Sequence, residues 1–125
     1  MGRTAMSIRK ILIVDDSPTE RHFLGELLNK NGFQVLTAES GEEAIAKVKE
    51  IMPDLILMDV VMSGMNGFQA TRTISRDEAT KHIPIIMCTS KNQETDMVWG
   101  RRQGAVEYVV KPVDSQELLA KIAAL

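Results

Sequence analysis

The sequence predicts an α/β fold in which five parallel strands alternate with five helices. Short apolar runs rich in Ile, Leu and Val recur at residues 10–14, 33–38, 54–58, 83–88 and 106–110. The segments between them carry apolar residues at helical spacing, three and four apart. Strands joined through helices run parallel. A third observation concerns the strand ends. Four of the five runs lead into charged or hydroxyl residues: Asp15-Asp16, Asp59, Thr89-Ser90 and Lys111-Pro112. Parallel strands place their C-terminal ends on one edge of the sheet, where α/β proteins bind ligands.

Each element has its own local signals. Residues 10–14 form a continuous apolar run, as expected of a strand buried on both faces. Ser17-Pro18 opens the first helix as N-cap and first helical residue. Its stripe is Phe23, Leu24, Leu27 and Leu28. Asn31-Gly32 supplies a left-handed stop. After the second strand, Ser40 caps the next helix, and Glu43 completes a capping box. Ala44, Ile45, Val48 and Ile51 face the core, and Pro53 closes the element. Strand 3 runs over 54–58 and is followed by a loop to Gly67, in which Gly64 and Gly67 permit tight turns. Helix 3 spans 68–76. Pro84 sits at the start of strand 4, where a missing donor is tolerated. Helix 4 spans 92–103, with Gly104 after it and Gly100 inside it as a weak point. Strand 5 follows at 106–110. Asp114 caps helix 5, with Glu117 as its box partner.

Right-handed crossovers favour a doubly wound sheet. For five strands the expected order is 2-1-3-4-5, the flavodoxin-like (βα)5 arrangement, with the switch point between strands 1 and 3. Asp15-Asp16 and Asp59 end those two strands. The 125 residues suffice for one domain with a core of its own, assigned to 9–125. Residues 1–8 lack periodicity and are set apart as an N-terminal extension. The hydrophobic fraction of 44%, the charged fraction of 26% and the net charge of −2 are ordinary for a soluble protein. Nothing in them argues for nucleic acid or a membrane surface as partner. No apolar run approaches the length of a membrane span. The single Cys88 rules out an internal disulfide and agrees with a cytoplasmic location.

Three carboxylates at one edge repel each other unless a cation offsets them. Mg²⁺ favours a few carboxylate oxygens together with water and phosphate. Asp59, central among the strands, is the best nucleophile for an acyl phosphate. Lys111 would neutralise a phosphoryl oxygen as a point charge, and Thr89 would donate to another. Backbone N–H groups after Asp59 and Thr89, the latter at Ser90, could complete the cradle.

The segments ILIVDDS, LILMDVVMSGMNG, IIMCTS and VVKPV together resemble the response-regulator receiver domains of two-component signalling, over residues 9–125. NGFQATR and KNQETDMVWGRRQGA resemble the twitching-motility (type IV pilus) branch of single-domain regulators. The resemblance implies that Asp59 accepts phosphate from a histidine kinase or its phosphotransfer domain. It implies Mg²⁺ ligation by Asp15, Asp16, Asp59 and the Val61 carbonyl. It implies phosphoryl contacts from Thr89, Ser90 and Lys111, a switch in which Thr89 reorients and Tyr108 moves inward, and a cis Lys111–Pro112 bond. The output would pass to a downstream motility protein through the face of helix 4, strand 5 and helix 5. Three residues depart from the family pattern. Ser63 replaces a proline and predicts a looser loop. Val61 offers no hydrogen bond to a water, and Lys91 stands where some receivers have an acid.

Plainer readings apply to single residues. Asp15 or Asp59 alone would serve as a capping acid, and Lys111 alone as a solvated lysine. Cys88 reads as core packing, and His22 and His82 as surface residues. Trp99 reads as packing of helix 4, with a partner anchor as the alternative. Met97 is placed on an exposed face. Two other functions compete. A phosphatase with an aspartyl nucleophile would need an acid where Val61 stands. A mononucleotide binder would need a phosphate-cradling loop where Asp15-Asp16 would repel the ligand. Within the receiver reading, a phosphate sink that drains the kinase is the alternative to an effector.

Overall fold

The computed structural model describes residues 8–89 and 94–125. Five strands and five helices alternate: β1 (Lys10–Val14), α1 (Pro18–Lys30), β2 (Gln34–Ala38), α2 (Gly41–Ile51), β3 (Leu55–Asp59), α3 (Gly67–Arg76), β4 (Ile85–Thr89), α4 (Glu94–Gln103), β5 (Glu107–Val110) and α5 (Ser115–Ala123). All strand pairs are parallel, in the order β2-β1-β3-β4-β5. The expected doubly wound topology is the observed one. The register sets Val14 against Met58, Asp59 against Cys88 and Thr89 against Val110, which aligns the C-terminal ends of these strands.

Alternation along the strands divides the core into two layers. Leu12, Val14, Ile56, Met58, Ile85 and Met87 meet Ala44, Val48, Ala70 and Ile74 on one face. Ile11, Ile13, Leu55, Leu57, Ile86 and Cys88 meet Leu24, Leu28, Leu118 and Ile122 on the other. Central strands β1 and β3 are buried on both faces, as their unbroken apolar runs require. Ile8 packs half-buried against the second layer.

Several local expectations need correction. The fourth strand starts at Ile85, because Ile83 donates to Thr80 in a turn and Pro84 has no N–H to give. Asp54 precedes β3 and accepts from the backbone of Arg9 and Lys10, capping the start of β1. Ser40 caps α2, but Glu43 reaches the N–H of Glu39 rather than that of Ser40. Asp114 caps α5 through the N–H groups of Gln116 and Glu117, while Glu117 turns to Lys121. The full capping box lies at the start of α3, between Asn66 and Gln69. Its Asn-x-x-Gln signature was present but unread. Phe23 stands 42% exposed outside the α1 stripe, whereas Met97 packs against the first core layer instead of facing outward.

Candidate phosphoacceptor site

The sheet edge gathers the predicted residues. Asp15 follows β1, is 2% exposed, and is held from two sides. Its Oδ1 accepts from Ser17 N at 2.9 Å, an Asx-turn that leads into α1. Arg21 Nη1 donates to its carbonyl at 2.7 Å. Asp16 points to solvent. Its Oδ2 accepts from Ser63 N at 3.1 Å, across the cleft from the β3–α3 loop. Asp59 ends β3 and is 6% exposed. One carboxylate oxygen from each of Asp15, Asp16 and Asp59 lies within 4.8 Å of the others.

Lys111 is the cation of the site. Its Nζ donates to Asp15 Oδ2 at 2.7 Å and to Asp59 Oδ1 at 3.0 Å. Its N–H donates to the Thr89 carbonyl at 2.5 Å. The bond to Pro112 is cis, as the resemblance implied. Thr89 ends β4 with its side chain buried. Burial disfavours the Lys111 ammonium, but its bonds to Asp15 and Asp59 prevail and hold its pKa above the usual lysine range. The Asp59 carboxyl is pushed up to about 6 by burial. The Lys111 hydrogen bond opposes that rise, and the Asp15 and Asp16 charges add to it.

Among the described residues, three carboxylates face the Lys111 ammonium and leave an excess of negative charge, and the acidic donors are hard oxygens. That donor set fits a small hard cation such as Mg²⁺, not a thiolate- or imidazole-loving metal. Val61 lies in the loop two residues beyond Asp59 with its side chain 69% exposed. Ser90 and Lys91 lie outside the described residues.

Two features of the site escaped sequence reading. Ser63 was expected to loosen its loop, yet its N–H ties that loop to Asp16. Gly67 was assigned to a tight turn, but its importance is steric. A Cβ there would collide with the Asp59 carbonyl oxygen and crowd Val60 Cα at 2.9 Å. Tyr108 is 3% exposed, so its ring already lies inside. It packs under α4, where a Cβ on Gly100 would meet Met87 Sδ at 2.9 Å and the Tyr108 ring at 3.5 Å. Gly100 therefore also permits close helix–sheet approach. Cys88 is buried, and burial pushes its thiol up to about 12. His22 and His82 are exposed.

This fold, with acids after β1 and β3, a hydroxyl after β4 and a lysine after β5, defines a class. Residues 11–123 match the model of the response regulator receiver domain, and the chain belongs to that family. Within it, the chain is 54% identical over 116 residues to Protein PilH of Pseudomonas aeruginosa, covering 93% of this chain and 96% of that protein. It is 38% identical to the phosphate regulon transcriptional regulatory protein PhoB of Escherichia coli, of which it spans 51%. The structure of the Vibrio cholerae chemotaxis protein CheY4 superposes with a TM-score of 0.88 at 32% identity, covering 94% of this chain and 98% of that one. A putative response regulator from Chloroflexus aurantiacus gives 0.90 at 31% identity, covering 94% and 97%. Among the described residues no helix is long and apolar enough to cross a membrane.

Proposed function

We propose that Asp59 is the phosphoacceptor of a cytoplasmic signalling domain that takes its phosphoryl group from a phosphohistidine of a kinase or phosphotransfer domain. In that step an Asp59 carboxylate oxygen attacks phosphorus and the P–O bond forms. The P–N bond breaks, and the imidazole leaves and takes up a proton. The product is an acyl phosphate on Asp59, with no substrate turnover of its own. The observation that carries this reading is Lys111, which bridges Asp15 and Asp59 at 2.7 and 3.0 Å. Its ammonium stands beside the nucleophilic carboxylate, ready to neutralise a phosphoryl oxygen.

Asp15, Asp16 and Asp59 would hold Mg²⁺, with the Val61 carbonyl as a further ligand. When bound, the ion supplies charge compensation for carboxylate and phosphoryl oxygens. The Thr89 hydroxyl and the N–H of Ser90 complete the phosphoryl contacts. Thr89 and Tyr108 act as the switch pair, with the ring held in place once Thr89 engages the phosphoryl group. The likeness to PilH supports a place in a twitching-motility pathway. Output passes by protein contact through α4, β5 and α5.

Intact mass after incubation with Mg²⁺ and acetyl phosphate tests the assignment. One added phosphate is expected on the parent and none on Asp59→Asn. Full labelling of the variant would reject Asp59 as the acceptor.

A further inference from the structure

A groove of about 280 Å³ runs between α3 and α4, and none of the three clustered carboxylates lines it. Phe68, half-buried against the core, and Trp99, 49% exposed, give it apolar walls. Among the described residues, Asn66, Gln69 and Gln103 supply amides to the lining, and Arg72 supplies a charge. The volume is below that of a typical small-molecule pocket and suits one or two side chains of a peptide. Trp99 was expected to pack α4 against the sheet, but half of its surface faces solvent. Aromatic and arginine side chains at a groove are the residues that most often anchor a partner.

Charge points to the chemistry of the occupant. Arg72 and Arg76 stand one turn apart on α3, and Arg102 stands one turn beyond Trp99 on α4. All three are exposed, and none forms an ion pair with a described residue. Of these, Arg72 lines the groove together with the exposed indole, and Arg76 and Arg102 add positive charge on the same two helices. Arginine pairs with carboxylates in a two-pronged geometry.

We propose that the α3–α4 groove docks a short peptide segment of a partner protein that places an aspartate or glutamate beside a large apolar residue. The apolar side chain enters between Phe68 and Trp99, and the carboxylate meets Arg72. This contact goes beyond the phosphoacceptor reading and requires no phosphate on Asp59.

The test pans a displayed library of random twelve-residue peptides against the full, unphosphorylated chain. Enriched sequences should share an acid next to Phe, Leu, Ile or Trp. A fluorescein-labelled copy of the consensus should bind the parent and change the emission of Trp99, the single tryptophan. Trp99→Ala should weaken binding about tenfold, and Arg72→Glu about fivefold, more at low salt. A peptide with lysine in place of its acid should recover binding to Arg72→Glu. Gln103→Glu, which sets a carboxylate in the groove, should also weaken the acidic peptide, and it serves should Trp99→Ala fold poorly. The proposal is overturned if no acid–apolar pair is enriched, or if enriched peptides bind Arg72→Glu and Gln103→Glu as tightly as the parent. Self-association of the parent that Arg72→Glu abolishes would make a second copy the occupant and overturn it too.

Discussion

The backbone N–H of Ser63 donates to Asp16 Oδ2 at 3.1 Å, so the loop after β3 is tethered to an acid at the end of β1. The Ser63 hydroxyl reaches the same oxygen only at 3.5 Å, at the limit of a hydrogen bond. Serine matters here chiefly because it is not proline. Ser63→Ala keeps the N–H and should change stability by less than about 0.5 kcal/mol. Ser63→Pro removes the donor to a solvent-exposed carboxylate, a loss of about 0.5–1 kcal/mol. Urea unfolding in EDTA measures both. Equal stability of parent and Ser63→Pro would show that the tether contributes nothing.

Asp59 is buried beside two other acids, and its pKa of about 6 lies above that of an unfolded aspartate. The folded state therefore binds the extra proton more readily. Stability from this group is present at low pH and falls as pH rises from about 4 to about 6. At neutral pH the ionised carboxylate destabilises the metal-free fold. Asp59→Asn removes that charge, while Lys111 keeps its bond to Asp15. The variant should be more stable than the parent at pH 7.5 in EDTA, by on the order of 1 kcal/mol. The advantage should shrink at pH 4.5. An advantage independent of pH would exclude the Asp59 charge as its source.

Gly67 opens α3 against the backbone of Asp59. Alanine favours helices, and propensity alone would predict a gain of up to about 1 kcal/mol for Gly67→Ala. Backbone collision with Asp59 predicts the reverse. Neither the Asp59 carbonyl nor Val60 Cα can swing aside as a side chain could. We expect a loss of about 2–3 kcal/mol in thermal unfolding and slower labelling by acetyl phosphate. A variant as stable as the parent would mean that the loop relaxes freely.

The reactive set was legible because it follows from strand polarity. Once 10–14, 54–58, 83–88 and 106–110 are parallel, Asp15, Asp16, Asp59, Thr89 and Lys111 fall on one edge whatever the helices do. The faces of the helices were less legible. The apolar residues of α4 are few, so period does not assign Met97 and Trp99 to core or solvent: Met97 packs against the core, and Trp99 is half covered and half exposed. Glycines that serve close approach, such as Gly67 and Gly100, look in sequence like glycines that serve turns or flexibility. The distinction lies in which backbone or side chain comes near, and that is a tertiary fact. Phe23 shows the same limit on α1: helical period groups it with Leu24, Leu27 and Leu28, yet it faces solvent.

Cys88 sits on β4 against the second core layer and next to Asp59 in register. Burial raises its thiol to about 12, far above working pH. An aromatic disulfide reagent at pH 8 should leave the folded protein unmodified over minutes and label one thiol at once in denaturant. Rapid labelling without denaturant would show that this part of the sheet opens readily.

The acyl phosphate on Asp59 should be comparatively long-lived. Hydrolysis needs a water held in line with the leaving carboxylate. Val61, two residues beyond Asp59, exposes 69% of its surface at this loop and has no group to hold such a water. Val61→Asn introduces a carbonyl and an amide at the same point. A hydrogen bond of about 1 kcal/mol to the in-line water would raise the decay rate about fivefold. The measurement loads Asp59 with acetyl phosphate, removes the donor by desalting, and follows loss of phosphate in Mg²⁺ by phosphate-affinity electrophoresis. Val61→Ile controls for bulk and should decay no faster than the parent. If Val61→Asn and the parent decay together, this side chain does not limit the water. A parent that loses its phosphate within seconds would favour a phosphate sink over a lasting signal.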